Sequence, residues 1–253
     1  LWGGEFLICG IDGFIRAGHI SSVPLPGGER AIKEGWRTAV SFVAESLGKN
    51  GRESDEVWNI LEGIGFAERY GRERIGTILT IREKREFSPL ASGMERLFDA
   101  VSALINLCDR NSFEGEAAMA LEGILPEAAS FPGPSYPFRI EEGEPFVLDT
   151  FFMIAAITDD LLAGKGQAEI SLKFHNTVIA MVAEAVPFLR ERYSIDCVAL
   201  SGGAFQNSYL LENLLPLLEL QGARVFFHKE TPCNDGCISL GQAYLVRERL
   251  RGR

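Results

Sequence analysis

The stretch from Asp196 onward constrains the fold most. Asp196-Cys197-Val198-Ala199-Leu200 is a short apolar strand, Ser201-Gly202-Gly203 a tight turn, and 205–219 a helix. A second apolar strand over 223–227 leads to Asn234-Asp235-Gly236 and a closing helix over 238–251. Strand, helix, strand and helix, with a glycine turn at each junction, predict a parallel α/β layer. Ligands of open α/β sheets gather outside the carboxyl ends of the strands, so both turns are candidate site elements.

The first turn is Leu200-Ser201-Gly202-Gly203-Ala204-Phe205-Gln206-Asn207. Two glycines let a backbone approach a ligand closely, and a following helix start offers unpaired N–H groups at its positive end. A tight turn without a ligand needs the same two glycines. The second turn carries Asp235, which is either a ligand-facing carboxylate or an ordinary helix cap. A third candidate is Arg96-Leu97-Phe98-Asp99-Ala100, in an amphipathic pattern whose apolar stripe is Met94, Leu97, Phe98, Val101 and Leu104. Asp99 falls off that stripe, which predicts a solvated carboxylate if it has no ligand.

Upstream, strand-like runs at 5–9 and 14–18 flank Asp12-Gly13, a hairpin signal. Pro24-Leu25-Pro26-Gly27-Gly28 breaks the chain. One helix is expected over 29–47, on the spacing of Ile32, Trp36, Val40, Val43 and Leu47, with Lys49-Asn50-Gly51 as its stop. Further helices are expected over 54–64, 70–84, 92–108, 114–124, 148–164 and 168–193, with a short strand near 145–149. Pro187 is expected to kink the last of these helices. Three segments follow: 1–28, a hairpin belonging to an N-terminal lobe; 29–165, a helix-rich interlobe region; and 166–253, a C-terminal α/β part that binds nucleotide.

The chain has 253 residues and a net charge of −10, a field that disfavours nucleic acid and anionic membranes as partners. No apolar run is long enough to span a bilayer. Five widely spaced cysteines, with no Cys-x-x-Cys pair, read as reduced thiols of a cytoplasmic protein. His19, His175 and His228 are isolated. His175 shares a helical face with Ile179, Val182 and Val186, as a satisfied core histidine does. The chain opens at Leu1 with no charged leader, which reads as a piece of a longer protein.

The ordered set of motifs resembles the HypF-type carbamoyltransferases of NiFe-hydrogenase maturation. The resemblance is carried by Trp2-Gly3-Gly4-Glu5-Phe6-Leu7, by Pro24-Leu25-Pro26-Gly27-Gly28-Glu29 with Trp36-Arg37, and by Arg96-Leu97-Phe98-Asp99-Ala100-Val101. Phe113-Glu114-Gly115-Glu116, Phe174-His175, the 200–207 turn and Asn234-Asp235-Gly236 through Ser239-Leu240-Gly241-Gln242-Ala243 extend it along nearly the whole chain. It implies a helix-rich α/β lobe of the actin and sugar-kinase (ribonuclease-H-like) superfamily, similar to the tRNA threonylcarbamoyl-transferase and lacking part of the N-terminal lobe. It also implies that carbamoyl phosphate and ATP give carbamoyl-adenylate. The carbamoyl group then passes to the C-terminal cysteine of a HypE-type partner, as a source of cyanide for the hydrogenase iron. Full-length members carry acylphosphatase-like, zinc-finger-like and YrdC-type domains upstream.

Carried over by motif, Gly202, Gly203, Gln206 and Asn207 would contact the nucleotide, and Asp99 with Glu114-Gly115 would lie near the ribose. Asp235 would be the catalytic and metal-facing carboxylate, on a divalent cation such as Mg, Fe or Zn. Two motifs depart from the pattern: Ser92-Gly93-Met94-Glu95 stands for Ser-Ser-Met-Gly, and Asp235-Gly236-Cys237 for Asp-Gly-Gly. Glu95 adds negative charge beside the expected anion site.

A sugar-kinase-like phosphotransferase, a non-catalytic docking lobe and an antibiotic-type O-carbamoyltransferase are the competing readings. The family's two metal-binding histidines and its aspartate-containing phosphate loop have no counterpart in this sequence. The 253-residue chain alone is therefore expected to support no carbamoyl-phosphate-dependent ATP–pyrophosphate exchange. Robust exchange by the isolated chain would refute that expectation.

Overall fold

A computed structural model of the chain describes residues 1–49 and 54–251. The expected hairpin forms from β1 (Glu5–Cys9) and β2 (Phe14–Ile20), closed by Gly10 N–H donating to Gly13 O at 2.8 Å. Two-residue strands β3 (Val23–Pro24) and β4 (Leu90–Ala91) pair antiparallel and tie the proline-rich break to the segment before the next motif.

The helix expected over 29–47 is two helices, α1 (Glu29–Lys33) and α2 (Gly35–Lys49). The break is Glu34, whose backbone leaves the helical region at φ −110° and ψ 77°. Its buried carboxylate gathers Arg37, Arg30 at 3.3 Å and Arg110 at 2.8 Å, a set that local periodicity does not encode. The break also seats Gly35 on the backbone of Asp99, where a Cβ would come within 3.1 Å of the carbonyl oxygen. Trp36, Val40, Val43 and Leu47 are buried as their spacing requires, whereas Ile32 is 37% exposed, on the far side of the break. Part of the expected stop at Lys49-Asn50-Gly51 lies outside the described residues.

Helices α3 (Ser54–Gly63), α4 (Phe66–Tyr70) and α5 (Arg72–Ile81) follow, separated by Gly65 and Gly71, both at positive φ. Next come α6 (Met94–Leu104), α7 (Glu116–Gly123), strands β5 (Arg139–Glu141) and β6 (Phe146–Asp149), α8 (Phe151–Leu162) and α9 (Gln167–Tyr193). Helix α9 runs through Pro187, which lies on its exposed side. The C-terminal pattern is β7 (Cys197–Leu200), α10 (Ser208–Leu220), β8 (Arg224–Phe227) and α11 (Ile238–Arg251).

Among the described residues there are three sheets. One has the order β1-β2-β6-β5, with β2 and β6 parallel; β3–β4 is the second, and β7 and β8 form the third, a parallel pair. Helix α2 is the centre of the core and packs on α6 and α8. Asp149 fastens the end of β6 by accepting from Ser21 Oγ at 3.2 Å and from Phe151 N–H at 2.9 Å, in the first turn of α8. All five cysteines are free. No helix among the described residues is long and apolar enough to cross a membrane.

Gly18 faces Phe146 across the β2–β6 register, and a Cβ there would stand 2.2 Å from the ring. Gly18→Ala must displace that fully buried ring and is expected to destabilise the chain by about 1–3 kcal/mol. Urea denaturation checks this, and an unchanged midpoint would mean that the sheet yields at this point.

Candidate functional site

Parallel pairing of β7 and β8 brings their carboxyl ends side by side, with Leu200 opposite Phe227. The two expected turns therefore meet. Gly202 adopts φ 108° and ψ 158°, a conformation that L side chains rarely adopt. Its N–H donates to Cys233 O at 2.7 Å, which clamps the first turn to the second. Ser201 Oγ lies 3.1 Å from His228 Nε2, and His228 Nδ1 lies 3.0 Å from Thr231 Oγ1.

After the glycines a single 3-10 turn, Gly203–Gln206, precedes α10. Asn207 caps that helix by accepting from Leu210 N–H at 2.9 Å. The other end of its amide donates to His175 Nε2 at 3.0 Å, and His175 Nδ1–H donates to Ser171 O at 2.8 Å. This arrangement requires a neutral imidazole. Burial of the ring agrees, pushing its pKa down to about 4. Asn207, implied to face a nucleotide, thus has both polar groups engaged within the protein. Gln206 is exposed.

The first turn of α10 is also occupied. Ser208 N–H and Tyr209 N–H donate to Glu122 Oε1 of α7, at 2.7 and 3.3 Å. A carboxylate from a distant helix complements the positive end of α10. An anionic ligand must therefore find its N–H groups one turn earlier. There Gly203 and Ala204 open the 3-10 turn, where the helix itself supplies no acceptor.

Helix α6 supplies the facing wall. A Cβ at Gly203 would come within 3.4 Å of Glu95 Oε1, so the acidic departure at position 95 does lie against the glycine turn. Arg96 offsets it, bridging Glu95 at 3.1 Å and Asp99 at 3.2 Å. Asp99 is buried rather than solvated, because Gly35 of α2 closes over it. Desolvation pushes its pKa up to about 6, against the opposing pull of Arg96 and of a 2.8 Å hydrogen bond from Asn111 Nδ2. Asn111, which the motifs did not single out, also donates to Ile32 O at 3.2 Å and accepts from Ala117 N–H at 3.1 Å. It thereby holds the loop containing exposed Glu114 and half-buried Gly115, the latter at φ 81°, beside Asp99.

A cleft of about 420 Å³ runs from the glycine turn along β7, between Glu95 and Met94 on one side and Val182 and Leu189 of α9 on another. That volume is in the range of small-molecule sites. Asp235 is exposed in the second turn, and the cap there is Asn234, which accepts from Gly236 N–H at 3.1 Å. Asp235 is therefore not the cap that Asp commonly provides. Among the described residues, no three His, Cys, Asp or Glu side chains are grouped to hold a metal ion. Asp235 offers oxygen donors from one residue only, and a divalent metal does not fit the described residues alone.

These elements define a helix-rich α/β lobe with a glycine-turn cleft. The family described as "Carbamoyltransferase, Kae1-like Domain, second subdomain" (HypF_C_2) matches residues 1–242, and the chain belongs to it. The chain is similar to Carbamoyltransferase HypF2 of Cupriavidus necator, at 30% identity over 98% of this chain and 32% of that protein. It is 32% identical to carbamoyltransferase HypF of Synechocystis sp., over 96% of this chain and 31% of that protein. It thus spans about a third of the length of the relatives it matches. Among solved structures, full-length HypF in a phosphate- and nucleotide-bound form matches with a TM-score of 0.86 and 36% identity, over 98% of this chain and 31% of that one. HypF from T. kodakarensis matches at 0.82 and 25%, over 99% and 32%. The expected mixed α/β, helix-rich fold of a HypF lobe holds.

The raised pKa of Asp99 has a consequence for stability. Folding favours its protonated form, so that contribution is fully present below about pH 4 and is lost as pH rises through about 6. Between pH 4 and pH 8, Asp99→Asn is expected to gain about 1–3 kcal/mol on the parent chain. Parallel denaturation series at the two pH values measure this, and parallel pH profiles for the two proteins would contradict it.

Proposed function

We propose that this chain is the nucleotide-binding part of a carbamoyltransferase that uses carbamoyl phosphate and ATP. In this reading a carbamoyl-adenylate forms, and its carbamoyl group is passed to the C-terminal cysteine of a HypE-type maturation protein in the cytoplasm. The observation that carries the reading is the clamped glycine turn opening onto the cleft, in a chain that is 36% identical to a HypF whose solved structure is phosphate- and nucleotide-bound.

The residue roles follow from the chemistry of the surroundings. Residues 166–253 supply the turn. Gly202 and Gly203 let the backbone approach the ligand, and the opening N–H groups of the 3-10 turn bind anionic oxygens without adding a titrating group. Gln206 stands exposed at the end of that turn. Asn207 works from behind, fixing the helix that carries the turn. Asp99 and the Glu114-Gly115 loop, joined through Asn111, form the ribose side. Buried Asp99 acts there through Asn111 and Arg96, which it holds in place at 2.8 and 3.2 Å. Asp235 contributes one carboxylate at the phosphate end, without a complete metal site around it.

In the natural full-length protein, Asp235→Asn is expected to lower carbamoyl transfer by at least about a hundredfold, as loss of a transition-state electrostatic group does. The melting curve is expected to stay unchanged, because the exposed side chain holds no part of the fold. Full activity in the variant would reduce Asp235 to a turn residue.

A further inference from the structure

The polar chain Ser201–His228–Thr231 has no assigned role. Its members leave two neighbouring strands at the same end and meet at 3.1 and 3.0 Å. Ser201 is exposed and lines the cleft, whereas His228 and Thr231 line a separate cavity of about 170 Å³ behind it, with Leu200, Phe205, Phe227 and Cys233. The histidine therefore stands between the cleft wall and a small cavity of mixed polar and apolar lining. The N–H that a glycine turn would ordinarily aim at a ligand, that of Gly202, is spent on Cys233 O.

We propose that Ser201 is a ligand-contacting residue of the nucleotide cleft, and that His228, itself held by Thr231, is the positioning residue that fixes its hydroxyl. A serine hydroxyl has one hydrogen and two lone pairs, and left alone it rotates among three staggered positions. Bonding to His228 removes that freedom. If Thr231 donates to Nδ1, then Nε2–H donates to Ser201 and the serine proton points into the cleft toward a phosphoryl oxygen. In the other tautomer, the serine presents lone pairs to a ligand N–H or hydroxyl. The ligand class is an adenine nucleotide, so the inference rests on the proposed function for the chemistry of the cleft. The placement of Ser201 and His228 does not depend on that reading.

The test is ATP affinity in the natural full-length protein, by equilibrium titration, with folding monitored by circular dichroism. Ser201→Ala is expected to weaken binding about three- to tenfold, the scale of one lost hydrogen bond. His228→Ala should do the same, and the double variant should be no weaker than either single one, because both act through one hydroxyl. His228→Gln, which keeps a polar group near Ser201, should recover part of the loss. Thr231→Val should give a smaller loss. Independent, multiplying effects of Ser201→Ala and His228→Ala would overturn the relay, as would unchanged affinity in Ser201→Ala. Gly202→Ala separates the two ideas, since it forces a side chain into the strained turn. If it weakens ATP binding while Ser201→Ala does not, only the relay fails. If it too leaves affinity unchanged, the nucleotide reading of the cleft fails with it.

Discussion

The opposition of Leu200 and Phe227 in the β7–β8 register decides where the polar groups of the two C-terminal turns stand. A strand's side chains alternate faces, so slipping the register by one residue would turn every following side chain over. Only in the observed register do the two turns come level, so that Gly202 N–H meets Cys233 O and Ser201 meets His228. The clamp also explains why Gly202 occupies a backbone conformation that other residues resist. Without it, the first turn would be one loop among several.

Around that clamp the electrostatics are arranged by neutralisation rather than by a surplus of positive charge. The chain carries ten more formal negative than positive charges. It places Glu95 at the turn and Glu122 at the start of α10. Arg96 answers Glu95 and Asp99, and the N–H groups of α10 answer Glu122. The backbone donors that no carboxylate covers are those opening the 3-10 turn. Donors of this kind attract an anion through fixed dipoles, whose pull falls away within a turn.

Much of this was legible in the sequence, and the limits have physical causes. The hairpin was readable because Asp12-Gly13 sits between two strand-like runs, and the C-terminal layer because its periods and breakers agree. His175 was readable as a core histidine from its helical face. The break at Glu34 was not readable, since it depends on Arg110, far along the chain. The burial of Asp99 was not readable either, since the residue that closes over it is a glycine of another helix. Strand β5 is three residues long and exists through its partner β6. Asn234 takes the cap that its neighbour Asp235 is equally suited to by composition. Glu122 and Asn111 look like surface polar residues until the tertiary fold supplies the N–H groups and the carboxylate that they serve.

Helix α9 holds α10 at both ends. His175 grips Asn207 at the start, while Arg190 donates to Gln221 O at 2.6 Å and Gly222 O at 2.7 Å at the finish. The two grips are equally spaced along both chains, so α10 is strapped like a rung and cannot slide along its neighbour. The glycine turn is welded to the near end of that rung. Mechanically, turn and helices are one body, and any closure over a ligand must swing it whole. The natural pivot is the chain that enters this body ahead of α9, where Gly164 stands at positive φ.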